Sequence, residues 1–217
     1  MDHSFWHNAW ARNDQPGWQQ NSANQMLQDY WSKFGARPEE TVFVPLCGRS
    51  PDLNWLNQFG HHVIGVDLSV TAIQDFCDQS GFEYSKTVTA DFTIFSASGY
   101  TLYGGDFFSL SADQLAAVTR VYDRAALVAL APEMRCKYVD HLQTILPPKA
   151  AIFTIAMHYD QAAMEGPPFS VPETEVRQHY ENNYEIHVMY SERSSMERRG
   201  LSTLAESVYR VLPIGEK

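Results

Sequence analysis

The sequence predicts an α/β domain of the doubly wound class, built on a mostly parallel sheet. Three observations carry this. Short, nearly continuous apolar runs, Thr41-Val42-Phe43-Val44-Pro45-Leu46 and His62-Val63-Ile64-Gly65-Val66-Asp67 foremost, read as strands buried on both faces. Each is followed by a turn, a helix-capping residue and a segment of helical character. The length of 217 residues suits one domain with additions better than two, so a single unit over 1–217 is expected.

The elements follow in order. Met26, Leu27, Tyr30, Trp31 and Phe34 recur at helical spacing, with Ser22 as the expected cap and Gly35 as the stop. This helix and the residues before it make an N-terminal lid over 1–40. The first strand leads through Cys47-Gly48-Arg49-Ser50 to Pro51, which suits the first position of a helix capped by Ser50 and ending near Gly60. After the second strand, Ser69 caps a helix over 71–78. The alternation then breaks: 91–95 and 100–103 flank Ser96-Ala97-Ser98-Gly99, which reads as a hairpin inserted within 82–108. Strands over 118–123 and 150–157 enclose a helix that Pro132 opens and that runs to about 145. Gly166-Pro167-Pro168-Phe169-Ser170 is a loop, because successive prolines forbid ladder and helix alike. A helix over 172–180 and strands over 184–190 and 204–212 complete the chain.

Composition narrows the function. Lys and Arg number 16 against 26 Asp and Glu, a net charge of −10, which argues against a nucleic-acid partner. Hydrophobic residues at 44% and aromatics at 13% supply a packed core. No apolar run approaches the ~20 residues of a membrane span, and the N-terminus has neither the basic segment nor the apolar core of a signal. Three cysteines, Cys47, Cys77 and Cys136, form no C-x-x-C pair and fit a reducing cytoplasm. His3 and His7 share the spacing of a two-histidine metal pair without a third ligand, so no metal is expected. Nothing demands more than a monomer.

In an open parallel sheet the ligand binds beyond the carboxyl ends of the strands, where strand order reverses. The loop from Leu46 to Ser50 is the first such place. Gly48 lets a ligand approach the backbone, and the helix behind Ser50 offers free N–H groups. About twenty residues on, Asp67 ends the second strand, where a carboxylate accepts both hydroxyls of a ribose. Taken alone, these features fit an adenosine-containing cofactor and fit equally an ordinary turn with a capping carboxylate. The glycine fingerprint of dinucleotide binding and the phosphate loop are both missing, which disfavours a nucleotide-dependent oxidoreductase or an ATPase and leaves S-adenosyl-L-methionine.

Five ordered blocks sharpen this reading. They are Phe5-Trp6-His7-Asn8-Ala9-Trp10, Val42-Phe43-Val44-Pro45-Leu46-Cys47-Gly48-Arg49-Ser50, Val63-Ile64-Gly65-Val66-Asp67-Leu68-Ser69, Tyr122-Asp123-Arg124-Ala125-Ala126-Leu127-Val128-Ala129-Leu130 and Gly166-Pro167-Pro168-Phe169-Ser170-Val171-Pro172. In these blocks the chain resembles the bacterial-type thiopurine S-methyltransferase family over nearly its whole length. The resemblance implies a Rossmann-like class I methyltransferase fold with an N-terminal helical lid. It implies S-adenosyl-L-methionine as cofactor and an aromatic or heterocyclic thiol as the small-molecule substrate. It also implies cofactor contacts from Trp10, Leu46, Asp67 and Arg124, with Asp106 and Phe107 beside the adenine. Acidic composition, compact length and a bacterial-like short N-terminus suggest a detoxifying role, and some bacterial relatives are associated with selenium and tellurium methylation.

Two departures stand out. The family usually has Glu at position 67, and Asp is one methylene shorter. Gln19 replaces the histidine of an aromatic-His-Gln pattern, while Trp18 keeps the aromatic wall of the substrate pocket. A catalytically inactive binder of the cofactor is the alternative these departures allow.

Direct transfer is an in-line displacement by sulfur, for which alignment matters most. An aromatic thiol acidic enough to ionise near neutrality needs no dedicated base. Arg124 is the expected catalytic-site charge, pairing with the methionine carboxylate or an anionic substrate; the plain alternative is an ion pair with Asp123 or another carboxylate. Trp6, Trp10 and Trp18 either close over the cofactor or pin the first helix to the core. Phe169 either stacks on a planar substrate or belongs to a stiff connection. Cys47 packs the turn and is no nucleophile. His61 and His62 face solvent, and Arg193, Arg198 and Arg199 lie in a solvated loop.

Overall fold

The computed structural model describes residues 20–196 and 201–215. The first element, α1 (Gln25–Phe34), starts where the Asn24 side chain accepts the N–H groups of Met26 and Leu27, and it ends at Gly35 with φ 92°. The cap is therefore Asn24, two residues later than Ser22. Leu27, Trp31 and Phe34 are fully or almost fully buried, so α1 is a core helix, and residues 1–19 of the lid expected over 1–40 lie outside the described ones.

The wound half follows: β1 (Thr41–Pro45), α2 (Asp52–Gln58), β2 (His62–Asp67), α3 (Val70–Ser80), β3 (Ser85–Val88), β4 (Phe92–Ala97) and β5 (Tyr100–Gly105). Pro51 sits at the cap position of α2, and the Ser50 hydroxyl receives the Asp52 N–H at 3.2 Å. Ser69 caps α3 as expected, accepting the Ala72 N–H at 3.1 Å. Then come β6 (Val118–Arg124), α4 (Ala126–Ala129), α5 (Pro132–Ile145), β7 (Ala151–His158), α6 (Glu173–Tyr180), β8 (Tyr184–Met196) and β9 (Leu201–Pro213).

The strands form one sheet in the order β3-β4-β5-β2-β1-β6-β7-β9-β8. The five from β5 to β7 are parallel, and antiparallel pairs extend both edges. The hairpin expected over 82–108 is only partly an insertion. Its second limb, β5, is itself the parallel neighbour of β2, so β3 and β4 are the added part. Order reverses between β1 and β6, which places the crevice at their carboxyl ends.

Alternate strand residues feed two cores, as a sheet covered on both faces requires. On one face α1, α2 and α3 cover Val42, Val44, Tyr122, Phe153, Ile155 and Val208. On the other, α5 and α6 cover Phe43, Ile64, Val121, Ile152 and Tyr209. Trp31 anchors the first, packing edge-on to Phe153 at 5.3 Å and donating its indole N–H to His61 Nε2 at 2.8 Å. His61 does not face solvent. It is 1% exposed, its other ring nitrogen bonds the Glu40 carbonyl, and burial lowers its pKa, so a neutral ring satisfies both contacts. His62 is half-buried against the Thr101 hydroxyl.

Gly65 in β2 shows how close the layers lie. A Cβ there would come within 2.8 Å of Leu102 Cδ2 and 2.9 Å of Cys47 Sγ, so the thiol occupies space a side chain would need. Gly65→Ala is expected to destabilise the protein by about 1–3 kcal/mol, read as a lower midpoint in urea unfolding, with Cys47→Ser restoring none of it because the Leu102 clash stays.

Candidate active site

The first wall of the crevice is the turn after β1. Leu46 has φ 48° and Gly48 φ 52°, and the non-glycine Leu46 in this region is a strained conformation of the kind that clusters at functional sites. Asp67, at the end of β2, holds the turn in place. Its Oδ2 accepts the Gly48 N–H and its Oδ1 accepts the Ser69 N–H, both at 2.8 Å. The capping role weighed for this carboxylate is thus realised, at the spot where a ribose is expected. Cys47 is buried, and burial together with the charge of Asp67 pushes its pKa well up, which keeps the thiol protonated and inert.

The second wall is the end of β6, where three consecutive residues divide between the two faces. Tyr122 points to the α1–α3 face and donates its hydroxyl to Asp52 Oδ2 at 2.9 Å. Asp123 points the other way and accepts the Tyr138 hydroxyl at 2.8 Å. Arg124 returns to the first face, with Nη1 3.8 Å from Asp52 Oδ2. Ala125, with φ 70°, turns the chain into α4.

Asp52 is the residue the sequence reading missed. Fully buried at the start of α2, it also accepts the Asn24 N–H at 2.7 Å on Oδ1. One carboxylate thereby joins α1, α2 and β6 and serves as partner to Arg124. The ion pair weighed for Arg124 therefore exists with Asp52, not Asp123. The available signal was an acid in the first turn of the helix that follows the ligand loop.

The third wall is the end of β5. Asp106 is half-buried and caps a short 3₁₀ turn, accepting the Phe108 N–H at 3.0 Å. The Phe107 ring is buried in the core against Tyr138, centroids 4.9 Å apart, and His141 at 5.1 Å. Its side chain is committed to packing, so what it presents to the crevice is backbone.

Phe169 lies in a braced loop. Its N–H donates to the Val128 carbonyl at 2.6 Å, Val171 N–H donates to the Met157 carbonyl at 2.8 Å, and the Tyr159 hydroxyl donates to the Pro168 carbonyl. Its half-buried ring covers Gly166, whose φ is 81°. The loop is tied to α4, the helix that follows Arg124. Trp6, Trp10, Trp18, Gln19, His3 and His7 lie outside the described residues, as do Arg198 and Arg199; Arg193 is exposed on β8. Among the described residues no cluster of three metal-ligating side chains occurs.

A wound sheet with a carboxylate ending its second strand, an arginine at its switch point and an antiparallel pair closing one edge is the architecture of S-adenosylmethionine-dependent methyltransferases. Among solved structures, a methyltransferase from Anabaena variabilis matches with a TM-score of 0.70 at 14% identity, covering 98% of this chain and 96% of its own. The 1,6-didemethyltoxoflavin-N1-methyltransferase of Burkholderia thailandensis, with bound 1,6-didemethyltoxoflavin and S-adenosylhomocysteine, matches at 0.66 and 15%, covering 97% and 87%.

Sequence places the chain more narrowly. It belongs to the family Thiopurine S-methyltransferase (TPMT), whose profile it matches over residues 1–212. The thiopurine S-methyltransferase of Marinobacter nauticus is 41% identical over 98% of this chain and 99% of the relative, and that of Nitrosospira multiformis 39% over 98% of each.

Two consequences are open to measurement. Asp52→Ala leaves the Asn24 N–H, the Tyr122 hydroxyl and the Arg124 charge without their shared acceptor, and is expected to cost about 3–5 kcal/mol in denaturant unfolding. Asp123 has its pKa raised from 3.8 to about 6 by burial, against the opposing bonds from Tyr138 and Leu127. The folded state then holds this proton more tightly than the unfolded chain, so the contribution of Asp123 to stability is greatest below pH 4 and falls as pH rises through 6. Asp123→Asn is expected to flatten that pH dependence of the melting temperature.

Proposed function

We propose that the chain transfers a methyl group from S-adenosyl-L-methionine to the sulfur of aromatic and heterocyclic thiols, thiopurines among them, by direct in-line displacement. The observation that carries this is the family match over 1–212 on a chain whose central strands end in Asp67 and Arg124. The donor set suits the cofactor: a carboxylate for ribose hydroxyls, a guanidinium for the methionine carboxylate, and positive-φ backbone at Leu46, Gly48 and Ala125 that opens the corner between them. Bound there, the cofactor supplies an activated methyl group on a sulfonium.

The chain's own residues align and enclose. Asp67 holds the ribose end, with Leu46 beside it, and Asp106 and the Phe107 backbone flank the adenine. Arg124, steadied by Asp52, fixes the methionine carboxylate or an anionic thiol. The family resemblance assigns a cofactor contact to Trp10 and a substrate contact to Trp18, both outside the described residues, and Phe169 would add an apolar face that keeps water from a reaction in which opposite charges cancel. We place the protein in the cytoplasm as a monomer without a nucleic-acid partner, acting in detoxification, with selenium and tellurium nucleophiles as further acceptors. No helix among the described residues is long and apolar enough to cross a membrane.

Calorimetric titration with S-adenosylhomocysteine, then a methylation assay with a thiopurine on the same sample, tests the reading. One-to-one binding with turnover is expected; binding without transfer to any thiol points to a sensor, and no binding overturns the proposal. Asp67→Asn, which keeps the size but loses the charge, is expected to weaken S-adenosylhomocysteine binding about 10–100-fold.

A further inference from the structure

The antiparallel strand β9 begins at the carboxyl end of β7, on the ligand side of the sheet. Arg124 pairs with Ile155, and Ile155 pairs with Val208, so these three point to one face, the face of the second core. Two residues before Val208, on the same face and one pleat nearer the crevice, is Glu206, opposite Met157 of β7. Glu206 is half-buried, and it makes no hydrogen bond or ion pair with any described residue. Beside the guanidinium the sheet presents Ile155, and beside Glu206 it presents Met157, which packs toward Tyr159, Leu201 and Leu204.

A half-buried carboxylate that accepts no hydrogen bond from the described residues, and is met only by the charge of Arg124, costs solvation unless a ligand bonds it. An apolar floor flanked by a cation on one side and a carboxylate on the other fits a planar heterocycle that carries an N–H donor. We propose that Glu206 accepts the ring N–H proton of a heterocyclic substrate in its thione form, the form in which sulfur is doubly bonded to carbon and the proton sits on nitrogen. This rests on the methyltransferase reading and deepens it, because the acidic aromatic thiols discussed above need no base whereas a thione does.

The step balances. Sulfur gives an electron pair to the methyl carbon, and the bond from that carbon to the donor sulfonium breaks toward the departing thioether. The N–H proton passes to the Glu206 carboxylate, and its bonding pair closes the ring C=N as C=S becomes C–S. Neutral substrate, cationic donor and anionic carboxylate become two neutral thioethers and a neutral carboxylic acid, which returns its proton to solvent.

The groups facing Glu206 are Arg124 from β6, which Asp52 of α2 pairs, and Glu192 directly across the ladder on β8, which the Tyr190 hydroxyl engages. Burial raises the Glu206 pKa, Arg124 opposes this, and Glu192 adds to it. A base with a raised pKa is the stronger proton acceptor, provided the pH keeps it ionised.

The test compares two acceptors on the full chain: 6-mercaptopurine, a thione with ring N–H, and thionitrobenzoate, a thiolate without one. Glu206→Gln is expected to lower the ratio of their kcat/KM values about 100-fold, and Glu206→Asp to restore part of it. Wild-type methylation of 6-mercaptopurine should fall with decreasing pH more steeply than that of thionitrobenzoate. Calorimetry on the protein loaded with S-adenosylhomocysteine should show Glu206→Gln binding 6-mercaptopurine about tenfold more weakly. A wild type that methylates both acceptors, with a ratio that Glu206→Gln leaves unchanged, overturns this assignment alone. A wild type that binds no S-adenosylhomocysteine and methylates neither overturns the functional reading, and this one with it.

Discussion

The carboxylate of Asp52 is the contact on which the geometry of the crevice depends. It is fully buried, and a charge in that position is tolerated only when its acceptor sites are filled. Three groups from two elements fill them: the backbone N–H of Asn24 at the start of α1, and the Tyr122 hydroxyl and Arg124 guanidinium, both from β6. The consequence is that the arginine does not select its own position. Its partner is already fixed by two other bonds, so the side chain is held at the switch point before any ligand arrives, which is the preorganisation an aligned displacement requires.

The same strand end shows how the pleat separates stability from chemistry. Asp123 and Arg124 are neighbours in sequence and point to opposite cores. Asp123 sits among Tyr138 and Tyr180, where burial raises all three pKa values and the Tyr138 hydroxyl bonds the carboxylate away from the crevice. Arg124, 21% exposed, looks into the crevice with its charge intact. A one-residue slip of β6 against β1 would exchange the two, putting the cation into the Tyr138 pocket and the carboxylate beside Asp52. Parallel pairing of Val42 with Arg120 and Phe43 with Val121 prevents this.

Much of the fold was legible because it is written in apolar runs and caps. The strands at 41–46 and 62–67, the caps at Ser69 and Gly35, and the helix opened by Pro132 stand where periodicity and turn chemistry put them. What escaped has identifiable causes. β3 is exposed along its whole length, so it has no apolar signature to read. His61 is polar by type and buried by circumstance: only the Trp31 indole and the Glu40 carbonyl, distant in sequence, make a core position possible for it. Of the site, the Asp67 corner was legible from its place after a strand. Asp52 was not, because its role is defined by partners 28 and 70 residues away. Phe107 was misjudged in one respect: its position after β5 is beside the crevice, yet the aromatic pocket of Tyr138, His141 and Phe43 takes the ring inward.

The edge of the sheet explains why the chain continues after its parallel core is complete. A further parallel strand would need another crossover helix, and its first residues would lie at the end of the sheet away from the ligand. An antiparallel hairpin reverses that. Because β9 runs against β7, the residues it contributes first are those nearest the crevice, Leu201, Leu204 and Glu206 among them. Strand length then sets how far this wall extends. β8 and β9 each run 13 residues against 8 for β7, so the hairpin projects past the sheet on the ligand side and carries its own small apolar cluster with Tyr159. In a chain of net charge −10, a wall so placed sets Arg124 against a carboxylate across an apolar floor. Partial burial lowers the dielectric around both groups, so each charge acts on whatever lies between more strongly than it would in open water.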